Sequence, residues 1–76
     1  MLLYLVIEEQ LYHEDIGEYT SYGIRGIYAT YGVYKEVAFV SDVACDRKKT
    51  AEIAALCTRL QLSPMHLIDV VEDMIG

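Results

Sequence analysis

The pattern of apolar and polar positions changes near residue 45. Before that point, runs rich in Val, Ile and Tyr are broken by Gly and alternate with polar residues, a pattern typical of half-buried strands. After it, apolar residues recur every three or four positions, which is typical of helices with one buried face. The sequence therefore predicts a β-rich first part followed by helices.

Three strands are predicted, at about residues 3–12, 19–30 and 33–43. Between the first two, Asp15 and Gly17 suit a tight reversal, because Gly readily takes a positive φ. Tyr31-Gly32 marks a second short connection. The three strands should form an antiparallel meander. In the third strand we expect the core face to carry Val37, Phe39 and Val43.

Two helices are predicted, at about residues 47–61 and 64–75. Asp46 is a suitable N-cap for the first, and Ser63 caps the second with Pro64 at its first position, where no hydrogen bond is lost. The apolar stripes that should face the core are Ile53, Leu56, Cys57 and Leu60 in the first helix and Met65, Ile68, Val71 and Ile75, joined by Leu67 and Met74, in the second. The expected fold is α+β, a single domain over residues 1–76 in which a three-stranded antiparallel β-meander precedes two α-helices packed on one face.

The segment from Leu62 to Asp73, with the preceding Ala55–Leu60, resembles a family of short clostridial-type bacterial proteins known only as a domain of unknown function. Glu18–Ile24 is similar to the central strand of that family, and Val43–Asp46 to its junction with the helices. The resemblance covers nearly the whole chain. It implies no activity, cofactor or catalytic residue.

The charge of the chain limits its partners. Asp and Glu outnumber Lys and Arg by 12 to 6, and residues 1–45 hold seven of the acids but only two of the bases. Because nucleic-acid affinity depends largely on clustered cations, DNA or RNA binding is disfavoured. The apolar stretch at the N-terminus is too short for a signal peptide or a membrane span, which favours a cytoplasmic protein without membrane contact.

The cysteines and histidines do not form a recognisable reactive or metal site. Cys45, Cys57 and His66 fit no common zinc spacing. Cys57 falls on the predicted apolar stripe, where a thiol behaves as a small hydrophobe. Cys45 precedes the helix cap, so it is expected either to pack under the helix or to have a lowered pKa. We therefore predict no metal, no cofactor and no catalytic residue.

Three cations, Arg47, Lys48 and Lys49, occupy the first turn of the first helix, where the helix dipole disfavours positive charge. One interpretation is an anion or small-ligand site, in which these side chains assist the free N–H groups of the helix start. The other is that they balance nearby acids such as Asp42 or Asp46. The sequence leaves both open.

Two further sets of residues are candidates for partner binding. Seven tyrosines lie on the predicted strands and turns, and tyrosine is enriched at protein interfaces. The last helix carries acids three and four positions apart, which a basic partner would relieve. The candidate residues are Tyr19, Tyr22, Tyr28, Asp69, Glu72 and Asp73.

These observations favour a non-enzymatic protein-interaction or regulatory module that binds a protein partner or a second copy of itself. The chain is small and offers no converging catalytic set. The alternative is anion binding at Arg47–Lys49.

Overall fold

The computed structural model describes residues 1–75 and confirms the predicted α+β fold. Three strands, β1 (Leu2–His13), β2 (Gly17–Thr30) and β3 (Val33–Ala44), form one antiparallel sheet in the order β1-β2-β3. They are followed by α1 (Arg47–Arg59), a 3-10 turn (Pro64–His66) and α2 (Leu67–Ile75). The strands extend one or two residues beyond most of their predicted limits.

Both hairpins use positive φ angles where the sequence predicted reversals. Gly17, which begins β2, has a φ of 78°. The β2–β3 connection consists of Tyr31 (φ 48°) and Gly32 (φ 79°). Two consecutive positive φ angles follow the right-handed twist of the flanking strands, which explains the tightness of this turn.

The core lies between one face of the sheet and the two helices. Its buried members are Tyr4, Ile24, Val43, Ile53, Ala54, Cys57, Leu67 and Val71. Tyr4 spans the layers, because its hydroxyl donates a hydrogen bond to the carbonyl of Leu62 between the helices. Burial is the larger cause, and the nearby Cys57 the smaller, of the raised pKa of Tyr4.

The predicted core face of β3 is wrong for two of its three residues. Val37 and Phe39 are 37% and 45% exposed, whereas Ala38 and Val40 pack against the core. Val43 is buried as expected. The cause is two register shifts in the β2–β3 pairing and a positive φ of 54° at Asp42, since such bulges interrupt strand alternation.

Helix α1 begins at Arg47 as predicted but ends at Arg59, and α2 begins three residues later than predicted, at Leu67. The Asp46 carboxylate caps α1 by accepting the N–H groups of Lys48 and Lys49. Ser63 makes no side-chain cap, and after Pro64 the chain first forms the 3-10 turn. Of the stripe predicted for the second helix, Leu67 and Val71 are buried, whereas Met65, Ile68, Met74 and Ile75 are exposed, as is Leu60 after α1.

The end of α1 holds the outer edge of β1. The Gln61 amide accepts the N–H of Leu2 (2.9 Å) and donates to the Leu2 carbonyl (2.8 Å). Thr58 Oγ1 accepts the N–H of Tyr4 at 2.9 Å. These two side chains, which we call the edge clasp, occupy backbone groups that an edge strand otherwise leaves unpaired.

Candidate functional site: the open face of the sheet

The sheet face opposite the helices is uncovered and largely apolar. It is formed by the alternate positions that point away from Tyr4 and Ile24. The apolar side chains of this open face are Leu3, Leu5, Ile7, Leu11, Ile27, Tyr34 and Phe39. Leu5 is 43%, Phe39 45% and Tyr34 70% exposed. An antiparallel sheet with one solvated face normally carries polar residues there, so this surface departs from the usual pattern.

Two rows of directly opposed residues cross the centre of the open face. Strand pairing aligns Leu5, Arg25 and Phe39 in one row, which we call the central row. The neighbouring row consists of Leu3, Ile27 and Glu36. Arg25 stands on the middle strand, between Leu5 and Phe39.

Arg25 joins the two rows. Its Nε lies 2.7 Å from Glu36 Oε1, and its Cζ lies 5.9 Å from the centre of the Phe39 ring. The first contact is an ion pair and the second a cation–π contact; both orient the guanidinium along the surface. Beside them a shallow depression of about 330 Å³ is lined by Arg25, Ile27, Tyr34 and Glu36. The open face thus offers a shaped surface that holds one fixed cation.

A hydrogen-bond network closes the other end of the open face, around the bulge at Asp42. Glu9 accepts the backbone N–H of Asp42 and the hydroxyl of Ser41, both at 2.8 Å. The Asp42 carboxylate accepts hydrogen bonds from Tyr19 (2.9 Å) and Ser21. These bonds satisfy both carboxylates within the chain and stabilise the left-handed backbone of Asp42.

The same network changes the acidity of Tyr19. The hydrogen bond to Asp42 is the main cause of its raised pKa, with desolvation and neighbouring negative groups adding smaller effects. The network was not foreseen, since strand spacing does not show that a bulge brings Asp42 back to Glu9.

The three candidate tyrosines do not share one surface. Tyr19 lies on the open face, whereas Tyr22 and Tyr28 lie on the helix side of β2, at the positions opposite Glu8 and Leu2. The Tyr22 hydroxyl donates to Glu8 at 3.4 Å, and Tyr28 is 46% exposed near the end of the sheet. Partner binding by these tyrosines stays a prediction, and a single contiguous tyrosine surface is not present among residues 1–75.

The acidic candidates Asp69, Glu72 and Asp73 are all exposed on α2. They lie on the outer side of the helix, away from the buried Leu67 and Val71. Binding of a basic partner at this patch also stays a prediction.

The candidate anion site at the start of α1 already has a carboxylate in it. Asp46 Oδ1 accepts the N–H of Lys48 at 2.9 Å and that of Lys49 at 3.3 Å. Arg47, Lys48 and Lys49 are exposed. An incoming anion would have to compete with Asp46 for these N–H groups, so anion binding here stays a prediction without a supporting contact.

The two cysteines differ in environment. Cys57 is 1% exposed in the core, as expected, and burial raises the pKa of its thiol. Cys45 is exposed, so the expectation that it packs under the helix is wrong; it follows β3 at the sheet end, outside the core contacts. His66 is exposed in the 3-10 turn. Within residues 1–75, no group of three or more His, Cys, Asp or Glu side chains is placed to hold a metal ion.

Comparison with known proteins assigns the chain to a family. A family model described as "Family of unknown function (DUF6514)" matches residues 1–76. The chain belongs to this family. The resemblance to a family without assigned activity is thereby confirmed at that level, and DUF6514 brings no ligand or partner with it. No curated protein and no solved structure matches the chain.

In this DUF6514 chain, the central row was the part of the open face that sequence reasoning missed. Phe39 was expected in the core, and Arg25 was not singled out. A signal was nevertheless present, because Leu2–Ile7 is a continuous apolar run, which is typical of a strand that is covered on both faces. No helix in residues 1–75 has the length and apolar character needed to cross a membrane.

Proposed function

We propose that this chain is a cytoplasmic, non-enzymatic protein-interaction module whose binding surface is the open face of the sheet. The observation that carries the proposal is the exposure of large apolar side chains on the central row, where Leu5 and Phe39 flank Arg25. Contiguous apolar surface of this kind is uncommon on monomers and marks interaction sites. A regulatory role would follow from occupancy of this face by a partner.

The composition of the open face supports protein binding in particular. Aromatic residues and Arg are enriched in the centres of protein interfaces, and both occur here as Phe39, Tyr34 and Arg25. The guanidinium is held against Phe39 before binding, so less side-chain entropy is lost when a partner covers it.

The proposal that the chain is not an enzyme rests on a buried thiol and on two carboxylates that are engaged in hydrogen bonds. Cys57 is buried with a raised pKa, so its thiol stays protonated near neutral pH. Glu9 and Asp42 are engaged in the network at the bulge. Neither arrangement leaves a free nucleophile or base facing a cleft.

The proposal can be tested by site-specific photo-crosslinking in living cells. A photoreactive phenylalanine derivative replaces Phe39 on the open face, or Ile68 on α2 as the matched control. Both positions are about half exposed, at 45% and 53%. We expect protein adducts from position 39 only. Adducts from position 68 with none from position 39 would move the binding surface to the acidic helix.

A further inference from the structure

We propose that the partner on the open face is a second copy of this chain, so that two sheets pack face to face as a two-fold symmetric sandwich. This inference rests on the proposed function, since it requires that the open face binds protein. It adds the identity of the partner and the register in which the two copies meet.

The charge of the central surface favours a second copy. The chain as a whole has a net charge of −6, yet the two rows hold one cation, Arg25, and one anion, Glu36, and are neutral together. A surface that binds a basic partner is expected to carry much of the net negative charge of the chain. A surface that binds a second copy of itself must instead carry equal numbers of positive and negative charges. The neutral apolar centre meets the second condition.

The row spacing allows a specific two-fold arrangement. The two-fold axis lies between the two sheets, parallel to them and perpendicular to the strands, and passes midway between the two rows. It places the central row of one copy over the row of Leu3, Ile27 and Glu36 of the other. Packed sheets stand about 10 Å apart, a distance that an Arg and a Glu side chain span together. In this arrangement Leu5 lies over Leu3 of the other copy, and Arg25 lies over Ile27, where it reaches diagonally to Glu36 on the adjacent strand of that copy.

The available area is sufficient for a reversible dimer. Three strands of about 12 residues cover a face about 14 Å wide and about 40 Å long. Two such faces bury about 1,100 Å² together, an area typical of weak, reversible interfaces. In addition, the accessible surface of the chain is 5184 Å², whereas a monomer of this mass exposes roughly 4,700 Å². We therefore expect a dimer that dissociates on dilution.

The test is sedimentation of the purified full chain over a concentration series, with two charge-reversal variants. R25E and E36R each place like charges against each other in the sandwich, and each should sediment as a monomer. Mixed together, they should form a heterodimer, because positions 25 and 36 then carry opposite charges at both contacts between the copies. The ion pair within each variant chain stays broken in this mixture, so recovery reports only contacts between copies.

Two further variants keep the test decisive if the charge reversals do not fold, as judged by circular dichroism. L5E should dissociate the dimer, and I68E, an equally polar change on the exposed side of α2, should leave it intact. A dimer that survives L5E would overturn the proposal. So would a wild-type chain that sediments as a monomer at every concentration, or a mixture of folded R25E and E36R that stays monomeric.

The outcomes also separate this inference from the proposed function. If the wild-type chain is a monomer and position 39 still crosslinks to another protein, the second copy is excluded and the interaction module stands. If the chain is a monomer and position 39 yields no adduct, both proposals fail.

Discussion

The ring of Tyr4 lies directly over Gly26, its partner residue on the neighbouring strand. A Cβ placed on Gly26 would come within 2.9 Å of Tyr4 Cε1. The glycine thus makes room for the one aromatic side chain that links the sheet to the segment between the helices through Leu62.

Gly26→Ala should therefore destabilise the fold. The added methyl group displaces the Tyr4 ring, and overpacking of this kind costs about 1–3 kcal/mol in the free energy of unfolding. Urea unfolding followed by circular dichroism measures it. In a Tyr4→Ala background the same substitution should cost much less, because the obstructing ring is gone. An equal cost in both backgrounds would show that Tyr4 is not the cause.

Gly23→Ala should be costlier still. A Cβ at this position would lie 2.6 Å from the carbonyl oxygen of Val40, a backbone atom that cannot rotate aside. The bulged segment of β3 would have to move. We expect a larger loss of unfolding free energy than for Gly26→Ala in the same urea titration, with the exposed Thr30→Ala as the control. A loss smaller than that of Gly26→Ala would contradict this ordering.

Gln61→Ala should open the first part of the β1 edge. The substitution removes both hydrogen bonds to Leu2, and each such bond contributes about 0.5–1.5 kcal/mol. Hydrogen exchange of the Leu2 amide should accelerate more than that of amides in α1. Gln61 has a φ of 49°, a conformation that Gly adopts without strain. Gln61→Gly therefore separates the loss of the side-chain hydrogen bonds from backbone strain, and it should still expose the Leu2 amide.

Alkaline pH should destabilise the chain. The pKa values of Cys57, Tyr4 and Tyr19 are raised above their ordinary values of 9.0, 10.0 and 10.0. The folded state therefore holds protons that the unfolded state releases, and stability falls as pH rises from about 9 through the folded pKa values. Urea midpoints measured over this range should decline. In Cys57→Ala the decline should begin later, nearer the ordinary tyrosine pKa; an unchanged onset would exclude the thiol.

The thiols should differ in reactivity with a disulfide reagent at neutral pH. Cys45 is exposed and Cys57 is 1% exposed. We expect one fast-reacting thiol in the native chain and a second that reacts only on unfolding. Cys45→Ser should remove the fast phase and Cys57→Ala the slow one. Two fast phases in the native protein would contradict the buried position of Cys57.

The alternation of apolar residues and the turn signals at Gly17 and Gly32 were sufficient to predict the meander and the switch to helices. Both signals depend only on residues that are close together in the sequence, so they can be recognised without knowledge of the fold. The face of Phe39 was not predictable in this way. It depends on the extra residues that β3 inserts near Val37 and Asp42, and these are stabilised by Glu9 from a distant strand.

The candidate site, like the fold, was predicted only in part from the sequence. The sequence indicated that seven tyrosines lie on the predicted strands and turns, which led to the prediction that the chain binds a protein partner or a second copy of itself. It did not indicate that Arg25 stands between Leu5 and Phe39, because that row exists only once three strands are aligned. The apolar stripe of the second helix was likewise predicted only in part: Leu67 and Val71 are buried, whereas Met65, Ile68, Met74 and Ile75 are exposed.

The edge clasp has a consequence for synthesis on the ribosome. Leu2 and Gln61 are 59 positions apart, and at about 5–20 residues per second the ribosome needs about 3–12 s to add the second after the first. During that interval the nascent hairpin can form, but its outer strand has bare amide groups that other nascent chains can pair with. The late synthesis of the edge clasp thus sets the earliest time at which these amide groups can be paired within the chain.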